Sequence, residues 1–363
     1  MKMPGRLAIR MIMSPMKRYA IIAFAWTATF CCSALLHGQD GHGYLPDQAG
    51  VWRTDNWARG TPKATAAELA ALRTALTSLE QAVHATPMLT APRGFDIRSS
   101  DRLDLGCPVN SDLCRQAPLP GWIKFSFEGY SRWEGKTVTQ TIEPPHVDVA
   151  FNDPGRAYFG HEAGYRDPSG NVIVGPLVEV ERVGNVVLYD TGVVLLGRNP
   201  RPFWVPVTRE DYLRGVSAKL AASTSGSDAL EEAIRGELAA LTPEERRLQA
   251  YTHRDSPAIS QLAPASMERA TPLYKFNPAY FDAALPRTAI QLITVTFVEE
   301  EHIRQHLGDR PDLLERSPIT PERLAFLDVS GVGVAGYRIF ELERLMNYSG
   351  LSALLAAPAA SPR

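Results

Sequence analysis

Cysteine is scarce in this chain. There are four in 363 residues, and two of them, Cys31 and Cys32, lie in an apolar N-terminal stretch. No C-x-x-C pair occurs, which removes the dithiol redox motif. No G-x-S-x-G occurs either. In "DVSGVGVAG" Asp328 stands where the first glycine belongs, so Ser330 is a poor nucleophile. The same stretch carries Gly331, Gly333 and Gly336 in G-x-G-x-x-G spacing. A dinucleotide fold needs a strand before that motif and a further strand bearing an acid about 20 residues after it. The chain ends too soon for that, so no cofactor is expected there and a tight turn is the default.

What remains is ordinary globular material. Hydrophobic residues make up 45% and charged residues 21%, enough for a sizeable core. The 28 prolines and 27 glycines are scattered between apolar runs, which points to turns rather than disorder.

The N-terminus reads as a targeting segment. Lys2, Arg6, Arg10, Lys17 and Arg18 precede "YAIIAFAWTATFCCSALL" (19–36), which is uncharged. A basic region ahead of an apolar stretch is the pattern of a Sec-type signal peptide, here residues 1–38. Initiation at Met1 or at Met16 both fit, and small residues place cleavage near Ala34 or Gly38. An uncleaved membrane anchor is the alternative, since the stretch nearly spans a bilayer. Loss of residues 1–38 removes five basic residues and no acid, moving the formal charge from −2 to −7. Such a chain has no basic footprint for nucleic acid. Export also frames the other two cysteines. Cys107 and Cys114, in "CPVNSDLC", are expected to form a local disulfide in an oxidising compartment.

Local patterns predict an α+β fold. "TAAELAALRTALTSLEQAV" opens on a Thr65–Glu68 capping box and runs Leu69, Leu72, Leu76, Leu79, Val83 down one helix face. From 93 to 207 the periodicity changes to two: "WIKFSFEGY", "KTVTQTIE", "HVDVAF", "NVIVGPLVEVERV", "NVVLYDTGVVLLG" and "RPFWVPV" all read as strands. The two valine-rich runs flank a Gly-Asn turn and form the best hairpin signal. Helices follow, capped by Thr208 and by Thr242 with Pro243 and Glu245. "TAIQLITVTFV" (288–298) is a late strand returning to the sheet, ahead of further helices at "TPERLAFL" and "YRIFELERLMNY". The prediction is a mostly antiparallel sheet of about five to seven strands, packed by an N-terminal helix and a C-terminal helical block. It forms a single domain over 39–363, sheet-rich at 93–207 and helix-rich at 208–357, with a flexible tail at 358–363.

Two stretches carry a resemblance. "FWVPVTREDYLRG" (203–215) and "FNPAYFDAALPRTAIQLITV" (276–295) resemble segments of exported bacterial proteins of unknown function. The resemblance covers about a tenth of the chain. It implies compartment and ancestry only, and no site residue.

Candidate chemistry falls in two places. In "EEEHIRQHLGD" (299–309), His302 and His306 are four apart, on one face of a helix, as two metal ligands would be. The order resembles the inverted zincin motif H-x-x-E-H, but Gln305 replaces the glutamate that serves as base. Acids before and histidines after also complement a helix dipole, which makes a solvated helix the simpler account. The second place is "EPPHVDVAFNDPGRAYFGHEAGYRDPSG" (143–170), with His146, Asp148, Asp153, His161, Glu162 and Asp167. His146 and Asp148 share a strand face, and His161 with Glu162 lies in a Gly-flanked loop. Two histidines and a carboxylate suffice for zinc or another divalent metal with an open position. Acids among Gly and Pro also suit a solvated turn. Trp52, Trp57, Trp122, Trp133, Tyr158 and Tyr165 fall near strand ends and are candidates for anchoring a partner or for core.

The sequence therefore predicts an exported, periplasmic or secreted protein that binds a protein or small molecule, or is envelope-associated, without catalysis or cofactor. Its alternative is a metal-assisted hydrolase built on the His146–Glu162 region.

Overall fold

The computed structural model describes residues 43–45, 47–55, 64–102, 118–139, 144–158, 162–175, 177–189, 192–222, 228–252, 255–260, 271–297, 342 and 345–356. Residues 1–38, read above as a signal peptide, Cys107, Cys114, His161, His302, His306, the 330–336 glycines and the 358–363 tail lie outside the described residues.

The chain opens with strands β1 (Gly43–Tyr44) and β2 (Trp52–Asp55), then helix α1 (Ala66–His84). Thr65 and Glu68 close the expected capping box: each side chain reaches the other's backbone N–H, at 3.2 and 2.7 Å. Leu72, Leu76, Leu79 and Val83 are buried along one face, each fully buried leucine contributing about 2 kcal/mol. Strands β3 (Phe95–Arg102), β4 (Gly121–Trp133), β5 (Lys136–Thr139) and β6 (His146–Phe151) follow. Then come β7 (Glu162–Arg166), β8 (Val172–Val174), β9 (Glu179–Val183), β10 (Val186–Tyr189), β11 (Val193–Gly197) and β12 (Trp204–Pro206). Helices α2 (Arg209–Ala221), α3 (Asp228–Ala240) and α4 (Pro243–Arg247) precede β13 (Tyr274–Phe276), β14 (Leu292–Phe297) and α5 (Tyr348–Ala353).

The fold is α+β, as the patterning predicts, but there are two sheets and more strands than five to seven. The larger sheet has ten strands, with the path β2-β3-β4-β6-β14-β11-β10-β9 and with β1 and β5 also on β4. The smaller has four, ordered β12-β13-β8-β7. Only β2 and β3 pair in parallel among the described strands. The count rose because β1, β2, β3, β7 and β13 come from segments with no strand signal of their own, and because two apolar runs each broke in two. The run 171–183 splits into β8 and β9, in different sheets, and the sequence between them contains Pro176, a residue with no N–H for a ladder. The run 185–197 splits into β10 and β11 at a turn where Gly192 takes φ +75° and donates to the Tyr189 carbonyl. The Gly184–Asn185 turn does join a hairpin, β9–β10, with Val183 opposite Val186.

Among the described residues, the half read as helix-rich also supplies β13, a strand that the patterning did not predict. The late strand does return to the sheet, and to its centre. β14 lies between β6 and β11, with all six residues buried. On one face Ile293, Val295 and Phe297 join Phe125, Val147, Val149 and the apolar face of α1 in the main core. On the other, Leu292 meets Val187, Tyr189, Leu195, Phe203, Phe276 and Tyr280 in an aromatic core between the sheets. A third core joins β8 to α2 and α3 through Ile173, Tyr212, Leu213, Val216 and Ile234. Among the described residues, no helix is long and apolar enough to cross a membrane.

Candidate functional site

Among the described residues of 143–170, the aspartates are not those of a solvated loop. Asp148, Asp153 and Asp167 are 5%, 6% and 4% exposed. His146 and Asp148 stand on one face of β6, opposite Ser126 and Lys124 of β4. Asp148 accepts from Arg156 Nη1 at 2.6 Å, and the guanidinium lies 4.1 Å from the centre of the Trp122 ring. Asp153 accepts the Gly155 N–H at 2.9 Å and sits 3.9 Å from Arg156. Burial pushes the Asp153 carboxyl above its ordinary range, against the pull of Arg156. Burial, with Lys124 and Arg156 nearby, pushes His146 down to about 4, which leaves it neutral at pH 7. Asp167 makes a different structure. It accepts from the Ser169 and Asn171 backbones, from Asn171 Nδ2 and from Lys275 Nζ at 2.6 Å. Glu162 opens β7 in the smaller sheet, away from the sheet that carries His146 and Asp148.

The aspartates in this stretch thus act as counter-charges and turn formers. Among the described residues, no group of three His, Cys, Asp or Glu side chains is placed to hold a metal ion. The aromatics divide as well. Trp122 is buried, Trp52 packs on the main core, and Trp133 is 59% exposed. Trp57 lies outside the described residues.

The concave site lies elsewhere, where the two sheets meet. A cleft of about 860 Å³ opens between the β9–β10 hairpin, the 198–203 loop and the β12–β13 end of the smaller sheet. Its apolar lining is aromatic: Tyr189, Phe203, Trp204 and Tyr274. Trp204 donates from Nε1 to the Tyr189 hydroxyl at 3.0 Å and stands edge-on to Phe276, 6.0 Å between centres. Burial raises the Tyr189 hydroxyl pKa, so it stays protonated. These contacts fix the Trp204 ring from both sheets.

The polar lining is cationic. Arg182 is matched by Glu179, with Nε and Nη2 donating to the two carboxylate oxygens at 2.8 and 2.6 Å. That fork holds the Glu179 carboxyl below its ordinary range. Arg198 and Arg201 are different. Arg198 Nη2 donates to the Ser352 carbonyl at 2.9 Å, and Arg201 Nη1 donates to the Ala279 carbonyl. Carbonyls orient a guanidinium without cancelling its charge, and among the described residues neither arginine has a carboxylate partner. The loop itself is pinned. Asn199 Nδ2 donates to the Tyr280 carbonyl at 2.6 Å, and its Oδ1 accepts the Arg201 N–H at 3.1 Å. Gly197 is obligatory at the cleft floor: a Cβ there would lie 1.6 Å from the buried Tyr280 hydroxyl.

Pattern reading of the sequence passes over this site. Its signal is "RNPRPFW" (198–204), two arginines and two aromatics on a proline-stiffened loop between strands. Strand periodicity absorbed that segment. No family model matches the chain, and comparison with the curated proteins and with the solved structures gives no match.

Proposed function

We propose that this is an exported binding protein that takes a small molecule in the cleft between its two sheets and performs no chemistry on it. The observation that carries the reading is the cleft itself. It is concave, has the volume of a small-molecule site, and pairs aromatic walls with a few placed polar groups. Among the described residues its lining contains no histidine, cysteine, serine or aspartate, and the one glutamate there is engaged by Arg182. Among those residues no nucleophile–base pair lines the cleft. Export rests on the basic and apolar leader of residues 2–36 and places the chain in the periplasm or outside the cell.

Two measurements test this. A fragment library screened against the mature chain by ligand-observed NMR should give hits that weaken on Trp204→Phe, a change that keeps the ring packing. If no fragment binds below about 1 mM, a modest affinity for such a pocket, the binding reading is wrong. N-terminal sequencing of the envelope or secreted fraction should begin near residue 39. Recovery of intact chain from the cytosol alone would remove the export reading.

A further inference from the structure

Resting on that reading of the cleft, we infer that its ligand is a small organic carboxylate with a planar apolar body. The argument starts from charge. Of the three guanidiniums in the cleft, one is neutralised by Glu179. The other two, Arg198 and Arg201, hold a net charge of two in a chain whose mature form carries about −7, counted from its charged residues. They come from one six-residue loop and are held by backbone carbonyls of two separate segments, at Ser352 and at Ala279. Each therefore has a fixed approach and keeps most of its five donors for an outside acceptor.

The remaining lining sets the rest of the ligand. Trp204, Tyr189 and Phe203 present rigid ring surface beside those donors, and rings select flat apolar bodies. Asn185, at the hairpin turn, adds an amide that exchanges long hydrogen bonds with Ser352, at 3.3 and 3.4 Å. Arginine forks also suit phosphate, but among the described residues neither a lysine nor a helix N-terminus, the other usual phosphate donors, lines the cleft. Two planar forks and no point charge match a carboxylate, which accepts two parallel N–H bonds from one guanidinium.

The test compares matched probes on the mature chain by calorimetry at low salt: naphthalene-2-carboxylate and its amide, which differ by the charge alone. The carboxylate should bind about tenfold tighter or more. The Arg198→Gln, Arg201→Gln double variant should bring that ratio close to one while the amide still binds, which also shows that the cleft is intact. Equal binding of the two probes by the native chain overturns the inference while leaving the cleft as a binding site. A ratio that survives the double variant overturns it too, because the selectivity then comes from elsewhere. Displacement of the carboxylate by millimolar inorganic phosphate would replace the class with a phosphate. If neither probe binds, the class is wrong, and the fragment screen alone then decides whether the cleft binds anything.

Discussion

Asn152 shows how much one side chain carries. It follows β6 with φ at +54°, a conformation that asparagine tolerates better than most residues. Its Nδ2 donates to the Leu119 and Ala289 carbonyls at 3.1 and 2.9 Å. Its Oδ1 accepts from the Gln291 and Leu292 backbones at 2.8 and 3.3 Å. One buried amide thus aligns the start of β14 with the end of β6. Asn152→Asp keeps the size and the turn preference but removes both donors and puts a charge against two carbonyls. It is expected to cost about 3 kcal/mol, read from the urea midpoint with unchanged slope. A loss below about 0.5 kcal/mol would show that the amide is not a clamp. The turn in "FNDPG" is legible in the sequence. The clamp is not, because three of its four partners are more than 100 positions away along the chain.

At the scale of elements, the joints of the smaller sheet depend on Lys275. From β13 its Nζ reaches Asp167, at the β7–β8 turn, and Asp211 of α2, at 2.6 and 3.3 Å. Burial alone would raise the Asp167 carboxyl pKa, but the bonds from Asn171 and Lys275 override it and hold the group below its ordinary range. Lys275→Met would leave the Asp167 charge buried with no cation and is expected to cost about 3 kcal/mol. The Lys275→Met, Asp167→Asn double variant should recover at least half of that loss, measured by chemical denaturation. No recovery would mean that the lysine's stem, not its charge, is what matters. The helices themselves were readable. Thr65, Thr208 and Thr242 cap where the sequence places them, because a cap is settled within four residues. Strand boundaries were not legible: 171–183 and 185–197 each read as one strand and each became two, and the assignment of β8 and β9 to different sheets was not readable at all.

Over the whole molecule, acid stability should carry the signature of His146. Its pKa is about 4 in the folded chain and about 6.5 unfolded. Between those values the unfolded chain holds more protons, so stability is complete above about 6.5 and falls as pH drops toward 4. With allowance for its partial exposure, the loss attributable to this group is on the order of 1–2 kcal/mol. His146→Gln should show a correspondingly smaller drop between pH 7.5 and 4.5, since the carboxylates titrate alike in both. Equal drops would refute the assignment. The amino-acid sequence by itself determined the capped helices α1, α2 and α4, the buried face of α1 and the strands β4, β6 and β14, because period and caps are local properties. It placed His146 and Asp148 on one strand face for the same reason. Only the tertiary structure decided which sheet each strand joins, that the aspartates near His146 serve Arg156 and Lys275, and that a cationic, aromatic cleft opens between the sheets. Its lining runs from Gly175 to Tyr274 and is drawn together by the pairing of β12 with β13 and the aromatic core beneath. No local pattern encodes such a meeting, since it exists only once both sheets are packed.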